Sequence, residues 1–216
     1  MRFILPQFCP TATHSLALAS NHKVPSPTGN LEKLKLTQCR LTGHQLLRFV
    51  NSPQPFLKAL SLTNVSGFSN ADLRSLLTQV APTLSSLYIN YIKIPRPSPD
   101  EEYAVDATVA KMVALRILDV AGDCVSLLAV MRKAPAHPDD VGLSSPSSTA
   151  TPTPSIRISY APAVDFYNHR GLLEALEVTG WRSVTIYGGG FHNEPSVAHL
   201  EEVRNIAMAR GITLLI

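Results

Sequence analysis

The sequence predicts an α/β protein in which short parallel strands alternate with helices, and three observations support this fold class. A leucine pattern recurs along the chain, helix-like segments separate its copies, and the composition is that of a folded protein. Hydrophobic residues make up 45% of the 216 residues and charged residues only 16%, so the chain can bury a sizeable core. One copy of the pattern is too short to bury its leucines alone, and we therefore expect the copies to stack.

The repeated pattern is a leucine followed, three and five residues later, by two further aliphatic residues. Its copies start at Leu31, Leu57, Leu84 and Leu115, with a weaker one at Trp181. The four leucine starts are 26, 27 and 31 residues apart. The last two positions of each copy alternate as in a strand with one buried face, and the leading leucine fits the turn that enters this strand.

Helix signals lie between the strands. Thr42 with Gln45, Ser69 with Asp72, and Ser98 with Glu101 have the spacing of capping boxes, in which two side chains satisfy free backbone N–H groups at a helix start. Leucines at helical spacing follow the first two boxes. Further helices are predicted at about 99–112, 124–133, 167–178 and 195–210. The last should stop at Gly211 and be followed by a buried strand at 212–216.

The repeats define one domain at residues 31–216. Residues 134–155 interrupt it, because this stretch is rich in Pro, Ser and Thr and has no apolar periodicity. We expect it to be a mobile loop. Residues 1–30 have two open interpretations: an ordinary N-terminal segment, or a degenerate first repeat with Leu16 and Leu18 in its strand.

A targeting peptide is a further interpretation of the N-terminus. Ala17 and Ala19 have the spacing of a cleavage site, and an arginine comes early in the chain. Prolines at positions 6 and 10 interrupt the apolar stretch that such a peptide requires. An ordinary N-terminal segment is the simpler interpretation.

The sequence contains no recognisable catalytic or metal-binding motif. Cys9, Cys39 and Cys124 are odd in number and lack metal-ligand spacing, which favours reduced thiols in the cytoplasm or nucleus. Cys39 falls at an inward position of its repeat, where a cysteine fills space. None of the seven histidines lies in a metal motif, and no serine lies in a GxSxG context. We therefore expect no enzymatic activity, no catalytic residues, no metal and no cofactor.

Charge and hydropathy argue against two classes of partner. The formal net charge is only +3, and the basic residues are scattered along the chain, so nucleic acid is not an expected partner. No apolar run is long enough to cross a membrane. The expected partner is a protein, which the sequence does not identify.

The glycines at 188–190 suggest an alternative function. A strand, three glycines and a helix start could hold an anion on backbone N–H groups, as in a small-ligand-binding or enzymatic α/β domain. The segment has no GK[ST] or GxGxxG motif and no lysine to meet a phosphate. A tight turn leaving a strand is the simpler interpretation.

The residues of the repeat resemble a known family. The stretch LEKLKLTQCRLT at 31–42 resembles a leucine-rich repeat of the long, helix-bearing type found in ribonuclease-inhibitor and cysteine-containing repeats. The lead-ins at 55–62 and 82–89 are similar to leucine-rich regions of fungal F-box proteins. The resemblance covers residues 31–130 well and 156–216 loosely. The chain departs from the pattern at its Asn/Cys position, which Cys39 fills but Val65 and Ile92 do not.

This resemblance implies a solenoid of irregular repeats, with parallel strands on the concave face and helices on the convex face. It also implies protein binding, with substrate recognition for a ubiquitin ligase as the function of the similar F-box proteins. Residues 1–30 lack the helical pattern of an F-box. An adaptor of the ligase is therefore expected as a partner only if an F-box is supplied elsewhere.

The candidate binding residues lie between the buried positions of each strand. They would face the concave side and form rows across the stack. Mixed polar residues with tyrosines suit protein recognition, although an ordinary solvated sheet face would have a similar composition. The predicted protein-binding residues are Lys33, Lys35, Thr37, Ser61, Tyr88, Asn90, Asp119, Arg157, Thr185 and Tyr187.

Overall fold

The structure is a computed structural model of the chain. It describes residues 14–19, 31–50, 56–98, 100–121, 124–133, 154–159, 169–187 and 197–216. Within these ranges the chain forms an eight-stranded sheet whose strands follow one another in chain order. Every pair of neighbouring strands is parallel. The predicted α/β class with a parallel sheet is confirmed.

Strands and helices alternate along most of the described chain. The strands are β1 (His14–Ala19), β2 (Leu31–Thr37), β3 (Ala59–Thr63), β4 (Ser86–Asn90), β5 (Ile117–Ala121), β6 (Ser155–Ser159), β7 (Ser183–Tyr187) and β8 (Thr213–Leu215). The helices are α1 (Gly43–Leu47), α2 (Asn70–Val80), α3 (Ala104–Thr108), α4 (Leu127–Arg132), α5 (His169–Val178) and α6 (Val197–Ala209). A short 3₁₀ turn, Val109–Lys111, continues α3.

Aliphatic side chains line one face of the sheet in continuous rows. In β3, Leu60 and Leu62 are fully buried while Ser61 between them is partly exposed. Leu60 lies in register with Leu34 of β2 and with Leu87 of β4. Full burial of one leucine side chain contributes about 1.5–3 kcal/mol, and here each leucine is buried by its neighbours in the adjacent strands.

The helices form a second layer over these rows. Each helix packs against the next one along the chain, so the helices lie on the same side of the sheet. The apolar face of α2, with Leu73, Leu76 and Leu77, is fully buried in the common core. On the other side of the sheet the described side chains stay exposed or partly exposed, apart from Ala121. We call this side, which includes Lys33, Lys35 and the residues in register with them, the open face.

Two of the three predicted capping boxes are present. At α1 the Thr42 hydroxyl accepts from the Gln45 N–H at 3.3 Å, and the Gln45 side chain accepts from the Thr42 N–H at 2.9 Å. At α2 the reciprocal bonds between Ser69 and Asp72 are 3.1 and 2.8 Å. These helices begin where the sequence predicts, because both partners of each cap are local.

The third predicted helix start is wrong. The Ser98 carbonyl accepts from the Glu101 N–H in a turn at 2.9 Å, and α3 begins only at Ala104. The cap comes from the preceding helix, since the Asn70 side chain accepts from the Ala104 N–H at 2.8 Å and donates to the Glu102 carbonyl at 2.9 Å. The helix is therefore shorter than the predicted 99–112.

The end of the chain follows the prediction in position but not in burial. Helix α6 ends before Gly211, which has a φ of +66°, and the N–H groups of Gly211 and Ile212 bond back to Met208 and Ala207 at 3.0 and 2.8 Å. Ile212 is buried, whereas Leu215 is 57% exposed. The predicted buried strand at 212–216 is wrong for β8, because among the described strands it pairs only with β7 and lies at the edge of the sheet.

The N-terminal strand bears on the interpretation of residues 1–30. Strand β1 pairs with β2, with Leu16 in register with Leu34 and Leu18 in register with Leu36. The sheet therefore extends into residues 1–30, and both interpretations, an ordinary N-terminal segment and a degenerate first repeat, stay predictions. Most of the predicted loop at 134–155 lies outside the described residues, and its last residue, Ser155, begins β6.

A left-handed residue follows three successive strands. Gln38, Asn64 and Tyr91 come directly after β2, β3 and β4 and have φ values of 50°, 53° and 54°. The N–H of each donates, at 2.9 Å, to the carbonyl of the last residue in the next strand. The turn therefore ends each strand at the same level while continuing the hydrogen bonding between neighbours. By sequence spacing the corresponding residues of two later copies are glycines, at 122 and 188, outside the described residues.

The left-handed turn predicts that Gln38→Gly stabilises the protein. Left-handed φ costs a non-glycine residue about 1–2 kcal/mol, part of which is offset by the greater entropy of glycine in the unfolded chain. We expect the free energy of unfolding to rise by about 0.5–1 kcal/mol in urea titrations. The control Lys35→Gly places glycine in extended strand and should lower it by about the same amount. A loss of stability in Gln38→Gly would contradict the turn.

Candidate functional site

The open face carries two predicted rows of side chains, and the strand register confirms both alignments. The central row is Lys35, Ser61, Tyr88, Asp119, Arg157 and Thr185. The row nearer the left-handed turns is Thr37, Thr63, Asn90, Ala121, Ser159 and Tyr187. Each row crosses the six strands from β2 to β7, so residues distant in sequence lie side by side.

A third row was missed by sequence reasoning, except for its first member. It consists of Lys33, Ala59, Ser86, Ile117, Ser155 and Ser183. Period-two alternation extended two residues towards the start of each strand would have found it. Most members are small, namely Ala59, Ser86, Ser155 and Ser183.

The predicted binding residues lie together as expected, and the structure shows how accessible most of them are. Three are exposed, namely Lys33, Lys35 and Arg157. Six are partly exposed, namely Thr37, Ser61, Tyr88, Asn90, Asp119 and Thr185. Tyr187 occupies its register position in β7. A role in binding stays a prediction for all ten.

Asp119 and Arg157 form a charged pair on the open face. They lie opposite each other on β5 and β6, with 3.7 Å between the arginine Nη1 and the carboxylate Oδ2. Burial raises the pKa of Asp119, and the neighbouring guanidinium acts in the opposite direction. The Asp119 side chain is only 17% exposed, and the effect of burial on its pKa exceeds the opposing effect of Arg157.

Asp106 is a buried carboxyl group that sequence reasoning missed. It is 4% exposed on α3, and both oxygens accept from the Ser126 N–H at 3.1 Å. Burial raises its pKa to about 7, while the bond from Ser126 opposes the rise. Ser126 is the N-cap of α4, so Asp106 fixes the start of the next helix. Nothing local distinguishes Asp106 from a surface acid, because the partner amide is 20 residues away.

Metal binding and thiol chemistry can be judged only for the described residues. Among them, no cluster of His, Cys, Asp and Glu side chains could hold a metal ion. Cys39 is buried, as predicted, and burial raises its pKa, which disfavours the reactive thiolate. The glycines at 188–190, on which the alternative function depends, lie outside the described residues. In the part of the chain that the structure describes, no helix is long and apolar enough to span a membrane.

Comparison with known proteins adds no family to this geometry. No protein-family model matches the chain, and no curated protein matches it at the significance that we required. The site must therefore be judged from its own chemistry. It offers uncharged polar groups, a central tyrosine, one ion pair and two exposed lysines on one face of the sheet.

The raised pKa of Asp106 predicts that stability falls with rising pH. Between the ordinary value of 3.8 and the folded value of about 7, the folded protein holds a proton that the unfolded chain has released. The free energy of unfolding should fall across this interval by up to about 4 kcal/mol and then level off. Asp106→Asn keeps an oxygen for the Ser126 N–H but cannot ionise, so the variant should lose this fall.

Urea unfolding at about pH 5 and about pH 8 measures the effect. The control Glu201→Gln removes a carboxylate from an exposed position of α6 and should keep the wild-type difference between the two pH values. An equal pH dependence in wild type and Asp106→Asn would show that Asp106 is not the responsible group.

Proposed function

We propose that this chain is an irregular leucine-rich-repeat solenoid that binds another protein through its open face and catalyses no reaction. The observation that carries the proposal is the open face itself, a polar surface across successive parallel strands that the helix layer does not cover. In such a solenoid the strands line the concave face and the helices the convex face. Repeat proteins commonly bind their partners on this surface.

Three features of the described chain support the repeat assignment. The strands are parallel and in chain order, successive helices pack side by side, and the same left-handed turn follows three strands. After that turn, Cys39, Val65 and Ile92 occupy equivalent buried positions. Apolar side chains at two of these positions are the reason why we regard the repeats as irregular.

The environment of Tyr88 supports protein binding. It lies in the central row between Ser61 and Asp119, with Ser86 and Asn90 before and after it on the same face of β4. Small or polar neighbours leave its ring accessible from solvent. Tyrosine contributes a large contact area at low cost in side-chain entropy and is enriched among residues that dominate interface energies.

We further propose substrate recognition in a ubiquitin-ligase context as the biological role. This step rests on the resemblance to leucine-rich regions of F-box proteins, which is analogy rather than site chemistry. An adaptor would join the complex only if an F-box is supplied elsewhere. The cytoplasm or nucleus is the proposed compartment, since Cys39 and Cys124 are buried thiols.

The proposal predicts that changes on the open face abolish partner capture. The triple variant Lys35→Glu, Tyr88→Ala, Arg157→Gln alters charge and contact area in the central row. Quantitative mass spectrometry measures the amount of the partner that each chain captures from a cell extract. The triple variant should capture at least about fivefold less than the wild type, the factor that corresponds to a loss of about 1 kcal/mol, because central aromatic contacts are enriched among residues that exceed this value.

The matched control carries the same kinds of change on the helix layer: Lys111→Glu, Met208→Ala and Arg204→Gln. All three control residues are exposed, and capture should be unaffected. Equal thermal unfolding of the two variants excludes a folding defect. Capture that survives the open-face triple, or falls equally in the control, would exclude the open face as the binding surface.

A further inference from the structure

Charge is distributed unevenly over the open face. The three rows contain three cationic residues and one acidic residue, namely Lys33, Lys35, Arg157 and Asp119. Asp119 is paired with Arg157. The remaining cations of the three rows are the two lysines of β2, and both are exposed. The acid next to them in sequence, Glu32, is paired with Lys58 at 3.2 Å. Among the described residues no acid is paired with Lys33 or Lys35, so a positive charge that these residues do not compensate lies near one end of the open face.

The neighbouring strands provide no acid for this lysine pair. Lys33 is in register with Ser15 of β1 and Ala59 of β3, and Lys35 is in register with Ala17 and Ser61. An acidic residue at any of these positions would lie on the adjacent parallel strand, about 4.7–4.9 Å away. All four are small and uncharged instead, so the strand register places no acid beside either lysine.

We propose that the open face binds an extended acidic segment of the partner protein. Two carboxylates of this segment, two residues apart in its sequence, would pair with Lys33 and Lys35. The inference rests on the proposed protein-binding function and names the chemistry of the segment that is bound. Residues two apart on a strand are separated by about 6.5–7 Å. An extended segment has the same spacing between side chains on one of its sides, so an acid-x-acid sequence can meet both ammonium groups at once.

A nucleic acid fits this surface less well. Binding to a phosphate backbone normally uses a longer series of cations, each of which neutralises one phosphate. Here the lysine pair is followed across the sheet by uncharged residues, and the next cation, Arg157, is paired with Asp119. A protein segment with two local carboxylates matches the charge that is present.

The segment can be found by selection from a phage-displayed library of random linear peptides, about 12 residues long, on the full chain. We expect the enriched peptides to carry acidic residues at positions i and i+2. The double variant Lys33→Gln, Lys35→Gln should bind a selected peptide about fivefold more weakly at low salt, since exposed ion pairs contribute modestly, and the difference should shrink at high salt.

Two controls make this loss specific. Lys111→Gln with Arg204→Gln removes the same charge from exposed positions of the helix layer and should leave the affinity unchanged. The charge-reversed double variant Lys33→Glu, Lys35→Glu should not bind the selected peptide. It should bind a version of that peptide in which lysines replace the two acids. All variants should retain the wild-type circular dichroism and melting temperature.

The outcomes separate this inference from the function on which it rests. In one outcome the selected peptides lack the acidic spacing, bind the lysine double variant as tightly as the wild type and lose affinity with Tyr88→Ala. That result would overturn the inference and still support the binding function. If no open-face substitution changes peptide affinity, or if the library yields no binding peptide, both the inference and the proposed binding function are contradicted. Tighter binding of a 12-nucleotide oligothymidylate than of the peptides, lost with the lysine pair, would overturn the inference in favour of nucleic acid.

Discussion

The in-register stacking of aliphatic side chains is the constraint on which the rest of this structure depends. Leu60 is buried because Leu34 and Leu87 lie beside it in the neighbouring strands and because the helix layer covers that face of the sheet. A slip of one residue in any pairing would move leucines to the open face and polar side chains into the core. The left-handed residues after three strands end those strands at one level, which holds the register.

The same stacking makes the side chains on the two faces of the sheet differ in what they contact. On the helix side, polar groups from one unit satisfy the backbone of the next, as Asn70 does for Ala104 and Asp106 for Ser126. These bonds join successive units. Open-face side chains do little for the core, and substitutions at exposed positions usually change stability by less than about 0.5 kcal/mol. The residue types on the open face are therefore little constrained by stability, which is compatible with the proposed binding function.

The sequence was sufficient to predict the strands and two open-face rows, because the spacing of residues such as Leu60 and Leu62 directly reflects which side chains are buried. The sequence was insufficient where a structural feature depends on a hydrogen-bond or strand partner that is distant in sequence. The start of α3 depends on Asn70, which lies 34 residues before the amide that it caps. The exposure of Leu215 depends on β8 being an edge strand, which no local pattern indicates. The third row lies within reach of the period-two alternation, but four of its six members are alanine or serine, which give little pattern of their own.

Solvent accessibility of side-chain protons, measured by NMR with a soluble paramagnetic gadolinium chelate, tests the central claim most directly. The account predicts alternating relaxation along β2, β3 and β4, with strong enhancement at Lys35, Ser61 and Tyr88 and little at the leucines between them. The measurement uses the unmodified protein and does not depend on knowing a partner. Equal protection of both sets of side chains would mean that helices cover both faces of the sheet, and would contradict an open face available for binding.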